Sequence, residues 1–203
     1  MGSDVTIFFK KGSIVFPSDF RGQGTDTAIK MALSRLSKGG KVKRLAHGIY
    51  YLPATDLKFG ELMPSAEAVA NQLAEREKVR IRPTGVYALN KPGLSTQVPA
   101  KLVYITDGHP RKFRIRKASV QFKATTPKKM ALSGKISSLL ILALDELDLR
   151  HIDEKTTEKI RLLLQKEDKD MLIEDIRLAS GKVYDYLIKI IQQSDDRMVN
   201  TNR

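Results

Sequence analysis

The side chains whose types and spacing could do chemistry in this chain are cations and hydroxyls rather than paired carboxylates or thiolates. Thr25, Thr27, Lys30, Ser34 and Lys38 fall within one short stretch, and Lys43, Arg44 and His47 follow it closely. Ammonium, guanidinium and hydroxyl groups donate hydrogen bonds to phosphate oxygens and base edges, so the chemistry on offer is recognition of a nucleic acid. A second cluster, Arg111, Lys112, Arg114, Arg116 and Lys117, surrounds Phe113 and Ile115. Strand alternation would set Phe113 and Ile115 on one face and Arg114 and Arg116 on the other, which suits either a second phosphate-contacting patch or a solvated strand face.

Bond-making chemistry has little to draw on. His47, His109 and His151 are widely separated, none has a carboxylate or thiolate at ligand spacing, and the chain has no Cys. A zinc or catalytic cluster would therefore have to be assembled wholly by tertiary structure. Gly22-Gln23-Gly24 lacks the further Gly and the Lys-Ser/Thr of a phosphate-cradling loop and reads as a turn. A nuclease would use a sheet-borne metal-binding Asp followed by Glu-x-Lys. Asp107 is available, but the later strand offers Gln121-Phe122-Lys123, and an amide in place of the second carboxylate weakens a hard-cation site. No catalytic residue, metal or cofactor is expected.

The cationic stretch needs a helix and a hairpin to position it. A helix can begin at Thr25 or Asp26, whose side-chain oxygens can accept from a first-turn amide, and should stop at Gly39-Gly40. At 100° per residue Ala28, Ile29, Ala32, Leu33 and Leu36 share one side, and Thr27, Lys30, Met31, Ser34 and Lys38 the other. Lys41-Val42-Lys43-Arg44 and Ile49-Tyr50-Tyr51 are β-prone runs joined by Leu45-Ala46-His47-Gly48, a hairpin with a glycine free to take a positive φ. Upstream, Phe8, Phe9, Ile14, Val15, Phe16 and Phe20 are apolar anchors, and Pro17-Ser18-Asp19 starts a short helix. The expected order is helix, short strand, helix, turn, recognition helix, wing. In such a winged helix-turn-helix the second helix lies in the major groove while basic groups grip phosphate; the plainer reading is a small subdomain with solvated lysines.

Phe16-Pro17-Ser18-Asp19-Phe20, Ala32-Leu33-Ser34-Arg35-Leu36 and Gly48-Ile49-Tyr50-Tyr51-Leu52-Pro53 resemble the N-terminal domain of AbiEi-type antitoxins from bacterial type IV toxin–antitoxin systems. Pro83-Thr84-Gly85, Ala88-Leu89-Asn90, Gly93-Leu94-Ser95-Thr96-Gln97-Val98-Pro99 and Tyr104-Ile105-Thr106-Asp107-Gly108 resemble that family's following domain. The resemblance implies an N-terminal domain that binds inverted repeats in its own promoter and a C-terminal domain that counters a nucleotidyltransferase-like toxin, a role linked to phage resistance. Whether that toxin is contacted directly is left open. The residue pattern by itself implies only the DNA part, so a stand-alone DNA-binding regulator, or a degenerate nuclease-like DNA-binding protein, is the alternative.

Composition bounds these readings. The chain has 203 residues and a net charge of +13. Residues 1–55 carry 9 Lys/Arg against 3 Asp/Glu, residues 56–130 carry 15 against 6, and residues 131–203 carry 12 against 14. A polyanion partner is the natural reading of the first two segments, and the near-neutral third suits protein contact better than phosphate contact. The absence of Cys fits a reducing cytoplasm. The N-terminus lacks a signal-peptide h-region and no apolar run approaches a membrane span.

The expected fold class is α+β, with a winged helix-turn-helix domain over 1–55 and a mixed domain over 56–203, separated by a linker at 54–64. Ser65 caps a helix to about Lys78. Short strands follow at Val79–Arg82, Leu102–Thr106, Phe113–Arg116 and Val120–Phe122, as a small mixed or antiparallel sheet. Ile136–Leu149 reads as a buried helix. Helices over 154–168, 170–180 and 182–194 complete the chain, with Gly181 as a stop and 195–203 frayed. Oligomeric state is not specified.

Overall fold

The computed structural model of the chain describes residues 9–94 and 99–201, with side chains up to residue 193. It is an α+β protein: the described residues form eight α-helices and nine strands in three separate sheets. The helix expected ahead of the first strand lies outside the described residues. Two compact units are present, one of residues 1–76 with 113–119, the other of residues 77–112 with 120–203.

In the first unit, β1 (Ile14–Val15), β2 (Lys43–Ala46) and β3 (Ile49–Tyr51) form a sheet in the order β1-β3-β2. Both pairings are antiparallel, with Val15 opposite Tyr50 and Arg44 opposite Tyr50 on the other side. A 3-10 turn over Pro17–Phe20 leads to α1, Asp26–Lys38. Thr25 caps α1, its Oγ1 accepting from the Ala28 amide at 3.2 Å. The helix ends in two nested bonds, Gly40 N–H to Ser37 O at 3.2 Å and Lys41 N–H to Leu36 O at 3.0 Å, with Gly40 at φ +73°. That is a Schellman termination, and it requires a residue that tolerates the left-handed region. Val15, Phe20, Leu33, Val42, Tyr50 and Leu52 make the core beneath α1, with Ile29 and Leu36 packed against it.

The expected linker at 54–64 is instead a hairpin, β4 (Ala54–Asp56) and β5 (Gly60–Leu62), turned by Asp56 Oδ1, which accepts from the amides of Lys58 and Phe59. Tyr51 Oη donates to Glu61, and Lys43 also bonds Glu61, so this hairpin is tied to β2 and β3. The unit continues through α2 (Ala66–Glu77), where Ser65 Oγ accepts from the Ala68 amide as the sequence led one to expect. Arg76, at the end of α2, bonds Ser18 Oγ at 2.9 Å and Asp19 Oδ1, and lies over the Phe16 ring at 4.8 Å. Compactness therefore extends to Arg76 rather than stopping at residue 55, because the side chains that brace the first 55 residues come from Glu61 and Arg76.

The second unit holds β6 (Ile81–Pro83), α3 (Gly85–Asn90), β7 (Lys101–Thr106), β8 (Arg111–Ile115) and β9 (Ala118–Ala124), with sheet order β6-β7-β9-β8. The ends of β8 and β9 nearest the turn are the residues grouped with the first unit. Five helices follow: α4 (Pro127–Met130), α5 (Ser137–Leu144), α6 (Glu154–Leu164), α7 (Lys169–Leu178) and α8 (Gly181–Thr201). α5 is buried along most of its length, Leu139 alone being half-buried, as its apolar run requires, but it stops at Leu144 rather than Leu149, where Asp145 bonds Lys129. Gly181 starts α8 rather than separating two helices, and the backbone stays helical to Thr201. Val183, Leu187 and Ile190 of α8 enter the core, with Tyr186 and Ile191 at its margin.

The residues that carry the antitoxin resemblance act here as anchors of the scaffold. Thr84 is buried and its Oγ1 donates to Leu142 O at 2.9 Å. Tyr104 stacks edge-on to both Tyr87 and Phe122. Thr106 Oγ1 donates to Arg80 O and accepts from the Gly108 amide. Ser95–Val98 of the Gly-Leu-Ser-Thr-Gln-Val-Pro run lie outside the described residues.

Candidate nucleic-acid interface

The outward face of α1 is the one its helical spacing calls for. Thr25, Thr27, Lys30, Met31, Ser34 and Lys38 are all exposed, whereas Leu33 is buried and Ile29, Ala32 and Leu36 are half-buried. Ala28, expected on the packed side, is exposed. Lys30 Nζ lies 2.5 Å from Asp26 Oδ2, one turn earlier, so an anion approaching Lys30 competes with a carboxylate on the same helix. Arg35, which the spacing places about 40° round the helix from Met31, is also exposed and widens the cationic face beyond the five residues expected.

The hairpin after α1 carries Arg44 and His47 together at its turn. The register slips between Arg44 and Ala46, a bulge that lets Arg44 Nε reach Ala46 O at 3.2 Å while Nη2 sits 3.0 Å from His47 Nδ1. A guanidinium only donates, so His47 Nδ1 is the acceptor and the imidazole carries its proton on Nε2. Gly48, at φ +69°, closes the turn. Both side chains are exposed. Lys43 is placed differently from the free wing cation expected: its ammonium is committed to Glu61.

Glu61 is the hub of that arrangement. The Lys43 ammonium, then the Tyr51 hydroxyl, hold its carboxyl below the usual carboxylate range. Burial, reinforced by the Glu61 hydrogen bond and charge, pushes the Tyr51 phenol up to about 12, and Arg116 opposes the shift. Arg116 therefore lies within electrostatic reach of the β2–β3 hairpin.

The second basic cluster does not stay whole. Arg114, Arg116 and Lys117 belong to the first unit, while Arg111 and Lys112 belong to the second, where Arg111 pairs with Glu77 at 2.8 Å. Phe113 and Ile115 do alternate inward against exposed Lys112 and Arg114. Arg116 leaves the alternation, because it adopts φ +54° in the turn between β8 and β9. The first unit thus gathers α1, the Arg44–His47 turn and the tip at Arg114, Arg116 and Lys117. It also exposes Leu57 fully and Phe59 at 81%, on either side of Lys58 at the tip of the β4–β5 hairpin. The run Asp-Leu-Lys-Phe-Gly was the available signal, a five-residue turn pattern within the stretch read as a linker.

The residues weighed for catalysis are occupied otherwise. Both Asp107 oxygens accept from Arg80, through its backbone amide and its Nε, at 2.8 Å each. Lys123 pairs with Glu146 at 3.2 Å. Among the described residues no group of three or more His, Asp or Glu could hold a metal ion, and no helix is long and apolar enough to cross a membrane.

No curated protein matches the sequence. A family model does match residues 3–172, well over half of the chain, and the protein belongs to that family, DUF6088, a family of unknown function.

Proposed function

We propose that the protein is a cytoplasmic DNA-binding regulator whose first unit acts as a winged helix-turn-helix, with α1 in the major groove and the β2–β3 hairpin as the wing. The observation that carries this reading is the exposed run Thr27, Lys30, Ser34 and Lys38 on one face of α1, in the same compact unit as the exposed Arg44–His47 turn. A capped helix supported from beneath by an apolar core presents such a face rigidly, which groove recognition requires. The tip at Arg114, Arg116 and Lys117 supplies further phosphate-binding charge in that unit. No catalysis is assigned to it.

The resemblance to AbiEi-type antitoxins extends the proposal: the DNA recognised is an inverted repeat in the protein's own promoter, and the second unit counters a nucleotidyltransferase-like toxin. The near-neutral charge of residues 131–203 supports protein contact there.

Lys30→Ala/Lys38→Ala should bind its promoter duplex more weakly at every sequence tested, with the slope of log K against log salt falling by about 0.9 per lost phosphate contact. Fluorescence anisotropy across a salt series measures both; unchanged affinity and slope would remove α1 from the interface. The antitoxin part is tested by co-expression with the neighbouring gene, where rescue of growth is expected, and toxicity that persists at full expression of this chain would leave a regulator alone.

A further inference from the structure

An open cleft of about 520 Å³ lies wholly within the second unit, where the edge strand β6 faces the loop leading into α5. Arg80, Arg82 and Lys135 line it, together with Ser133 and Ser138, and no Asp or Glu is among its lining residues. The three cations are not equivalent. Arg80 is exposed and paired with Asp107, whereas Lys135 is exposed and makes no hydrogen bond or ion pair among the described residues. Arg82 is half-buried and likewise has no ion pair there. Burial pushes the Arg82 guanidinium below its ordinary value, with the charge of Arg80 adding to the effect and that of Asp175 opposing it. A partly desolvated cation that makes no ion pair, with Asp175 acting on it only at longer range, is costly unless something anionic meets it.

The loop at the cleft is rigid for a reason independent of any ligand. Asp175 accepts from the amides of Ser133 and Gly134 at 2.7 and 3.0 Å, and Glu167 accepts from those of Ile136 and Ser137 at 2.6 and 2.8 Å. Glu167 thus already takes the Ile136 and Ser137 amides at the start of α5, and Asp175 two amides of the loop before it, so what the cleft offers an anion is its side-chain cations rather than these amides. Ile81, Pro83 and Leu139 supply an apolar wall beside the cations. Pro83 adds no donor to the open edge of β6, which keeps that wall apolar.

We propose that this cleft binds a phosphate monoester joined to a flat apolar group, the chemistry of a mononucleotide, with Arg82 and Lys135 on the phosphate and the Ile81, Pro83 and Leu139 wall against the base. The volume lies in the range of small-ligand pockets. Bidentate guanidinium geometry suits a terminal phosphate, and Lys135 adds a mobile point charge. This site is separate from the proposed DNA-binding surface and does not depend on it.

The test is calorimetric titration of the full-length chain with AMP, adenosine and inorganic phosphate as separate probes. AMP should bind, adenosine should give no measurable heat, and inorganic phosphate should bind more weakly than AMP. Lys135→Glu, at an exposed unpartnered position that leaves the fold intact, should weaken AMP by about tenfold or more through loss of a charged hydrogen bond. Arg82→Met should do the same, with circular dichroism to verify folding. Lys11→Glu, an equal change in net charge on the first unit, should leave AMP affinity unchanged. Equal losses in Lys135→Glu and Lys11→Glu would reduce the effect to diffuse charge and overturn the site. Binding of adenosine as tight as AMP, absence of AMP binding at millimolar concentration, or phosphate as tight as AMP would each overturn the nucleotide assignment. So would a Lys135→Glu protein that loses affinity for duplex DNA but not for AMP.

Discussion

Tyr51 shows how much a single side chain depends on partners far along the sequence. Its ring is buried opposite Ile14 and Lys43 in the three-stranded sheet, and its hydroxyl reaches Glu61. Its phenol, raised from 10.0 to about 12, stays protonated in the folded state over a range where it would ionise in the unfolded chain. The stability from that difference is fully present below pH 10 and is lost as pH rises through about 12. Absorbance titration should show a tyrosine ionising near pH 12, a step that disappears in Tyr51→Phe. Asp26 offers a second residue-scale test, because its pair with Lys30 is solvent-exposed and such i,i+4 pairs contribute only about 0.3–0.5 kcal/mol. Asp26→Asn should therefore fold nearly as well as the parent and, on the proposed DNA-binding function, bind promoter DNA about two- to fivefold more tightly, since an anion is removed from the exposed cationic face of α1. Anisotropy at fixed salt distinguishes this from weaker binding, the result expected if Asp26 instead accepts from a base.

At the scale of elements, α1 is bounded by side chains and glycines that lie beside it in the sequence. The Thr25 cap, the positive φ of Gly40 and the nested bonds to Ser37 and Leu36 are local, so its limits at Asp26 and Lys38 could be read before any tertiary contact was known. Gly40→Ala isolates the backbone contribution, because nothing lies within 4 Å of the added methyl. The variant should lose about 1 kcal/mol, seen as a lower urea midpoint with unchanged slope. The β4–β5 hairpin is the opposite case. Residues Ala54–Asp56 and Gly60–Leu62 have little β propensity, and Pro53, Gly60 and Pro64 suggest a linker. The hairpin is held by Asp56 across its turn and by Glu61 reaching Lys43 and Tyr51, and the latter pairing is invisible locally.

For the whole molecule, the division into units follows those long-range contacts. A fragment of residues 1–55 keeps α1 and the hairpin but lacks Glu61 and Arg76, which bond Lys43, Tyr51, Ser18 and Asp19. The part-buried bonds of Arg76 to Ser18 and Asp19 are charge-assisted and contribute about 1.5–3 kcal/mol each. Thermal melts should therefore show a broad, low transition for fragment 1–55 and a sharper, higher one for fragment 1–80. Equal melts would mean that the apolar core of Val15, Leu33, Tyr50 and Leu52 suffices alone.

The α+β class, α1 with its cap and stop, the β2–β3 hairpin and the buried α5 were all legible in the sequence, because propensity, capping and apolar periodicity act within a few residues. The same periodicity gave the exposed cationic face of α1, which depends only on the angle between successive side chains. What tertiary structure alone decided was the pairing of charges. Glu61 engages Lys43, Asp26 shadows Lys30, and one run of basic residues is split between the two units at Lys112 and Phe113, within β8. The cleft lined by Arg82 and Lys135 joins residues some fifty positions apart, where no spacing rule reaches. Ionic partners are chosen by distance in space, and the sequence carries the charges without carrying those distances.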